Sequence, residues 1–157
     1  VSAGPESVDA DESYRPVPVV HDRTAPFWTG GERGELMMQR CGGCGHLVHP
    51  PALLCPWDQS PALEWEVLSG HGRVESFSEN CQPFLPGFPE RYLVALVQVD
   101  EDPTARVLTN VVDVDADDVA IGMPVQVKFI HLDGDGGPDV YLPVFAPADD
   151  GADRDDA

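Results

Sequence analysis

The sequence predicts a mainly β protein made of a short N-terminal helix, a metal-binding ribbon and a five-stranded barrel. Two observations carry this. Three cysteines and an aspartate fall into two tight knuckles at positions 41–44 and 55–58, and five short β-rich runs separated by turn residues follow Gly70. A length of 157 residues with 42% apolar content suits one ordinary domain or two small modules sharing a surface, and excludes a large multidomain enzyme.

In chain order, residues 1–24 read as a disordered acidic tail or linker and residues 25–69 as the helix and ribbon. Residues 70–146 read as the barrel and 147–157 as a second disordered acidic tail. Thr24 before Ala25-Pro26-Phe27-Trp28 is the expected hydroxyl N-cap and early proline of a helix, which Gly30, Gly31 and Gly34 keep short. Leu36 to Gln39 predicts a brief strand leading into Cys41, and the proline-rich stretch 50–62 predicts loop. The barrel strands are expected at Arg73 to Ser78, Tyr92 to Val99, Arg106 to Val114, Val125 to Ile130 and Val140 to Phe145. Five is the strand count of an OB-fold barrel, although another small Greek-key or SH3-like barrel has similar runs. Asp100-Glu101-Asp102-Pro103 and Asp133-Gly134-Asp135-Gly136-Gly137 supply turns, and Asp115 to Val119 a helical turn before the fourth strand.

Charge sets the first functional limit. The chain carries 9 basic and 28 acidic residues, a formal net charge of -19. The acidity is not confined to the ends, because residues 25–146 still hold 18 acids against 6 bases. Such a surface repels phosphate backbones and anionic lipid, which argues against nucleic acid and membrane as partners. No run nears the roughly 20 apolar residues that a bilayer span needs, and no secretory signal opens the chain, so a cytoplasmic protein is expected.

Cys41-Gly42-Gly43-Cys44 and Cys55-Pro56-Trp57-Asp58 have the spacing with which two turns aim paired ligands at one zinc ion. The glycines are expected to allow the bend. At the fourth position Asp58 stands in place of cysteine, and three readings compete: Asp58 ligates through oxygen, His46 or His49 takes its place, or the ribbon has lost its metal. Without a secretion signal a disulfide framework is disfavoured. Cys81 lies outside the pattern and reads as a small buried apolar residue.

These residues resemble a known family of acyl-CoA-associated proteins that join a rubredoxin-like zinc ribbon to an OB fold, long catalogued as a domain of unknown function. The resemblance runs through Phe27-Trp28, Gly34-Glu35-Leu36, Gln39-Arg40-Cys41 with Cys44, Pro50-Pro51, Cys55-Pro56 and Trp65. It continues through Gly70-His71-Gly72-Arg73-Val74 with Ser76-Phe77, Leu108-Thr109-Asn110, Ile121-Gly122-Met123 and Leu142-Pro143. It implies a zinc cofactor and a non-catalytic role beside a thiolase-superfamily enzyme, either an acetyltransferase or a lipid-transfer-protein-type aldolase. In the aldolase case it resembles the C-terminal part of a protein whose N-terminal part is a hot-dog hydratase of steroid side-chain degradation. Val1 in place of methionine and the acidic residues 1–24 then fit a linker left from such a fusion, and fit a free-standing subunit as well.

The catalytic groups an enzyme needs are not visible. His21, His46, His49, His71 and His131 are scattered, none in a catalytic motif, and no phosphate-cradling glycine loop is present. His71 and Arg73 lie beside Gly70 and Gly72 at the start of the first barrel strand, where a solvent-facing role competes with a ligand-facing one. Arg73, Arg91, Arg106 and Lys128 are the candidate contacts for a CoA phosphate. The loop Gln82 to Arg91 carries Phe84, Leu85 and Phe88 on a proline-stiffened segment, the arrangement of a partner-docking loop or of a plug for the barrel mouth. Two other classes remain in view: an OB-fold single-strand binder, which lacks a basic groove, and a hydrolase or lyase whose site is shared with a partner.

Overall fold

Alternating apolar side chains build most of this molecule. The computed structural model describes residues 15–85 and 88–149, so of the tails expected at 1–24 and 147–157, residues 1–14 and 150–157 lie outside the described residues. In chain order come a helix α1 (Ala25–Thr29), a 3-10 turn (Gly30–Arg33), and strands β1 (Leu36–Cys41), β2 (Leu47–Val48) and β3 (Leu63–Leu68). Strands β4 (His71–Asn80), β5 (Tyr92–Val99) and β6 (Arg106–Val111), a 3-10 turn (Ala116–Asp118), β7 (Pro124–Leu132) and β8 (Val140–Pro147) follow.

The first three strands form an antiparallel sheet ordered β2-β1-β3, and the last five close into a barrel ordered β4-β5-β6-β8-β7. The single parallel contact, Val111 against Phe145, joins the third barrel strand to the fifth, and the fourth closes on the first. That is the OB-fold, as the five runs predict. In β5 every second side chain, Leu93, Ala95, Val97 and Val99, is buried, the period of a strand with one face on a core. A register shift between Val74 and Ser76 gives β4 the bend that lets a small barrel close.

Ribbon and barrel share one apolar core. Phe27 from the helix, Leu36, Met38 and Leu47 from the ribbon sheet, and Val74, Val97, Val107 and Phe145 from the barrel pack as one cluster. Several local expectations are corrected. Thr24 precedes the helix, but its hydroxyl donates to the His21 carbonyl and accepts from the His21 N–H, so it does not cap the first turn. The third barrel strand ends at Val111, short of Val114, because Asp113 turns the chain at a φ of 59°. Strand β3 follows directly on the proline-rich loop and pairs with β1 along its whole length, Arg40 reaching diagonally past its own partner Glu64 to grip Glu66 with two nitrogens. No helix among the described residues is long and apolar enough to cross a membrane.

Candidate metal centre

The first knuckle leaves the end of β1, the second lies in the loop between β2 and β3, and both double back through the same backbone pattern. In the first, the Gly45 N–H donates to the Cys41 carbonyl and the Cys41 N–H to the His46 carbonyl, both at 2.9 Å. In the second, the Gln59 N–H donates to the Cys55 carbonyl and the Cys55 N–H to the Ser60 carbonyl, again at 2.9 Å. Gly45 and Gln59, the residues after the second ligand position, both take left-handed conformations, at φ 79° and 61°. The bend therefore sits at Gly45 and not at Gly42 or Gly43. Gly43 serves a different purpose: a Cβ there would run into the Asp58 carboxylate.

The result is a four-donor cluster. One ligand atom from each of Cys41, Cys44, Cys55 and Asp58 lies within 4.8 Å of all the others. Cys44 Sγ and Cys55 Sγ are 3.5 Å apart, as are Cys41 Sγ and Asp58 Oδ1. Zinc–sulfur bonds of about 2.3 Å at tetrahedral angles separate sulfurs by about 3.8 Å, so the donors already stand near the spacing one ion requires. The first residue of each knuckle, Cys41 or Cys55, is buried, and the second, Cys44 or Asp58, is exposed. The carboxylate thus occupies an outer corner, where its desolvation is least.

The surroundings distinguish the two inner thiols. The backbone N–H of Cys44, with that of Gly43 at 3.3 Å behind it, holds the Cys41 thiol below its ordinary pKa. Burial pushes the Cys55 thiol up to about 11, against the N–H groups of Asp58 and Trp57. The Ser60 N–H, 2.9 Å from Oδ1, keeps the Asp58 carboxyl below its usual value and so ionised.

The competing histidines are engaged elsewhere. His46 Nδ1 lies 3.3 Å from Asp102 Oδ2, and its ring stacks on Trp57 with centroids 4.9 Å apart. His49 packs against Phe27, 4.7 Å between ring centroids. Asp102, which the sequence marks only as a turn residue, is buried and ties ribbon to barrel. It accepts from the Leu47 N–H and from both the N–H and hydroxyl of Thr104 at 2.7–2.8 Å. Burial works to raise its pKa, but these donors outweigh it and hold the carboxyl down to about 2.

The remaining candidates are dispersed. Phe84 is 78% exposed and Leu85 43%, whereas Phe88 is half-buried with its ring 5.7 Å from that of Tyr92. Phe84 therefore plugs nothing. Pro86 and Gly87 lie outside the described residues. Of the candidate phosphate contacts, Arg91 pairs with Glu79, Arg106 with Glu75 and Lys128 with Asp113. Arg73 is exposed and donates to the Gly122 carbonyl at 3.2 Å. His71 is exposed at the start of β4 and His131 pairs with Asp139. Cys81 is exposed, not buried, because it falls just past the end of β4, where the chain leaves the barrel.

A two-knuckle ribbon sharing its core with an OB barrel defines the class of protein. Family models agree: residues 28–64 match the ChsH2 rubredoxin-like zinc ribbon domain and residues 65–129 the ChsH2 C-terminal OB-fold domain. The chain belongs to the DUF35 family. It is 33% identical over 122 residues to a DUF35 domain-containing scaffold protein of Methanothermobacter thermautotrophicus, covering 74% of this chain and 89% of that one. It is 36% identical over 146 residues to the 3-oxo-4,17-pregnadiene-20-carboxyl-CoA hydratase alpha subunit of Mycobacterium tuberculosis, covering 93% of this chain. Among solved structures it superposes on a chain of an Ltp2-ChsH2(DUF35) aldolase with a TM-score of 0.70 and 33% identity, covering 83% of this chain and 98% of that one. The chain spans less than half the length of the hydratase alpha subunits it matches, 41% and 44%.

Proposed function

We infer that this chain is a non-catalytic accessory module that binds a thiolase-superfamily acyl-CoA enzyme, an aldolase of the Ltp2 type, and supports its assembly or its supply of acyl-CoA. The observation that carries this reading is the similarity to the DUF35 chain of the Ltp2-ChsH2 aldolase along nearly that chain's whole length. The scaffold names of the archaeal relatives point the same way. The pregnadiene-carboxyl-CoA relative extends it to steroid side-chain degradation as the setting. Hydratase chemistry is not assigned to this chain, which matches under half of the subunits that bear that name.

In this reading Cys41, Cys44, Cys55 and Asp58 hold zinc. All four positions are filled by protein, so the ion supplies a structural clamp and no open position for catalysis. Residues 25–69 act as the ribbon module and 70–146 as the barrel. Phe84 and Leu85 are the apolar anchors for the enzyme, with Phe88 bracing the loop on Tyr92. Arg73 is the cation left to meet a CoA phosphate, and Arg91 is the weaker candidate because Glu79 already neutralises it.

The test is co-expression with an Ltp2-type aldolase. The wild-type chain is expected to co-elute with the enzyme, and the Phe84→Asp, Leu85→Asp double variant to elute alone with an unchanged melting temperature. The isolated chain is expected to turn over no acyl-CoA thioester. A turnover that follows the purified chain and disappears on a point substitution overturns the accessory role, whereas co-elution of the double variant moves the interface elsewhere.

A further inference from the structure

The ribbon sheet has a long edge that no strand closes among the described residues. Its order is β2-β1-β3, so β3 pairs with β1 on one side and with no strand on the other. In an antiparallel ladder, successive residues direct their N–H and carbonyl alternately toward the partner strand and away from it. The Gly42 N–H donates to the Ala62 carbonyl at 2.8 Å, and the same phase runs on through Arg40 opposite Glu64 and Met38 opposite Glu66. The residues between them face the other way. On β1 the Cys41 N–H donates to the His46 carbonyl on the β2 side, and on β3 the Leu63 N–H turns back to the Pro61 carbonyl. By that alternation the N–H and carbonyl of both Trp65 and Val67 point outward from the sheet edge.

Soluble proteins usually blunt such an edge with proline, lysine, a bulge or a covering element. Strand β3 has none of the first three: its sequence is Leu-Glu-Trp-Glu-Val-Leu, and its pairing with β1 runs without a register shift. What it carries is negative charge on one face. Glu64 is exposed and has no ion pair among the described residues, while Glu66 is held by Arg40. The hydrogen bond to Glu66, opposed by partial burial and helped by the charges of Asp102 and Glu101, holds the Arg40 guanidinium above its ordinary pKa. Three carboxylates thus share one cation. Just past the strand the Ser69 N–H donates to Glu101 Oε1, which leaves Oε2 of that carboxylate unpartnered. The other face of β3 is apolar, with Trp65 half-buried and Val67 51% exposed.

We propose that the β3 edge takes up an extended segment of another protein in which lysine or arginine alternates with apolar residues, adding a fourth strand to the ribbon sheet. The outward groups of Trp65 and Val67 supply the backbone pairing. Side chains directly across a ladder share a face, so the basic residues lie beside Glu64 and Glu66 and the apolar ones beside Trp65 and Val67. Charge selects the occupant. Neither undescribed end of this chain matches it, since residues 1–14 hold four acids and no base and residues 150–157 four acids and one base. A second copy of β3 would set glutamate against glutamate. The edge is separate from Phe84 and Leu85, so it stands or falls apart from the accessory role.

The experiment is an NMR titration of the full zinc-loaded chain with three short peptides: alternating lysine and valine, alternating glutamate and valine, and the lysine–valine peptide with its backbone nitrogens methylated. The lysine–valine peptide is expected to shift the Trp65 and Val67 amides, to slow their hydrogen exchange, and to bind about tenfold more tightly than either of the others. Val67→Pro removes an outward N–H, a change an edge strand tolerates, and is expected to abolish binding with the melting temperature nearly unchanged. Should that variant fail to fold, Glu64→Lys, at an exposed position, is expected to weaken the lysine–valine peptide about threefold and to strengthen the glutamate–valine one. Equal affinity for the basic and acidic peptides overturns the proposal. So do undiminished binding of the methylated peptide and the absence of any change at the Trp65 and Val67 amides at millimolar peptide.

Discussion

The two knuckles of the ribbon repeat one backbone design with different side chains. Both close with the same pair of 2.9 Å hydrogen bonds, both bury their first ligand residue and expose the second, and both end on a left-handed residue. They differ in what fills the repeat: Cys44 and Gly45 in the first, Asp58 and Gln59 in the second. They also differ in bracing. The first runs into His46 and Leu47, which Asp102 of the barrel holds, and Arg40 donates to the Gly45 carbonyl at 2.7 Å. The second follows Leu53 and Leu54 and carries Trp57, all exposed, and beyond the ligand cluster itself the Trp57–His46 ring contact joins it to the first. The comparison teaches that the backbone repeat sets where a ligand atom stands, while its chemistry is free to change at a solvent-facing corner, provided a neighbour such as Gly43 leaves room.

The sharpest way to break that equivalence is to remove ligands one at a time from zinc-loaded protein and measure retention against a chelator. Cys55→Ala takes out a buried thiol and is expected to abolish zinc retention and melt the ribbon, since ligand-set binding energy is folding energy in such sites. Asp58→Ala is expected to weaken zinc binding while leaving three thiolates in place. Asp58→Cys is expected to strengthen it by roughly tenfold or more, as thiolate matches zinc better than carboxylate does. An Asp58→Ala affinity equal to wild type removes Asp58 from the ligand set.

How much of this was legible depends on range. Cys41, Cys44, Cys55 and Asp58 stand out by spacing alone, and the alternation in Tyr92 to Val99 states its own strand. Strand β3 also alternates, yet Leu63, Trp65 and Val67 are interleaved with Glu64 and Glu66 beside a proline-rich loop, and what makes Glu66 fit is Arg40, 26 residues earlier. Asp102 is visible as a turn former because its bonds to Thr104 are local. Its bond to Leu47 spans 55 residues and leaves no local trace. The cavity walled by Phe27, His49, Leu108 and Pro143 is assembled from four separate stretches, and only the fold brings them together.

The bracing difference has its own test. Asp102→Ala leaves the buried Leu47 N–H without an acceptor and is expected to cost about 1–3 kcal/mol at neutral pH, measured by denaturant unfolding of the zinc-loaded chain. Acid sharpens it. The folded-state pKa of Asp102 lies near 2, below its ordinary 3.8, so its contribution is complete above about pH 4 and is lost as pH falls toward 2. The melting-temperature gap between wild type and Asp102→Asn is expected to narrow across that window. A gap that stays constant down to pH 2 denies the carboxylate this role.

The smallest effect probes the backbone repeat itself. At Gly45 a Cβ would meet nothing within 4 Å, so Gly45→Ala changes little except the expense of holding an L residue at φ 79°. That strain is expected to destabilise the protein by about 1 kcal/mol. Gln59 already bears the same strain at φ 61°, partly offset by a weak side-chain bond to the Cys55 carbonyl at 3.4 Å. Gln59→Gly is therefore expected to shift stability the other way, by about 0.5 kcal/mol, because the relief of left-handed strain slightly exceeds the added entropy of the unfolded glycine. Opposite signs at the two positions, with zinc affinity nearly unchanged in both, identify Gly45 and Gln59 as equivalent corners of one repeated turn. Equal signs mean that the two knuckles share a hydrogen-bond pattern without sharing its energetics.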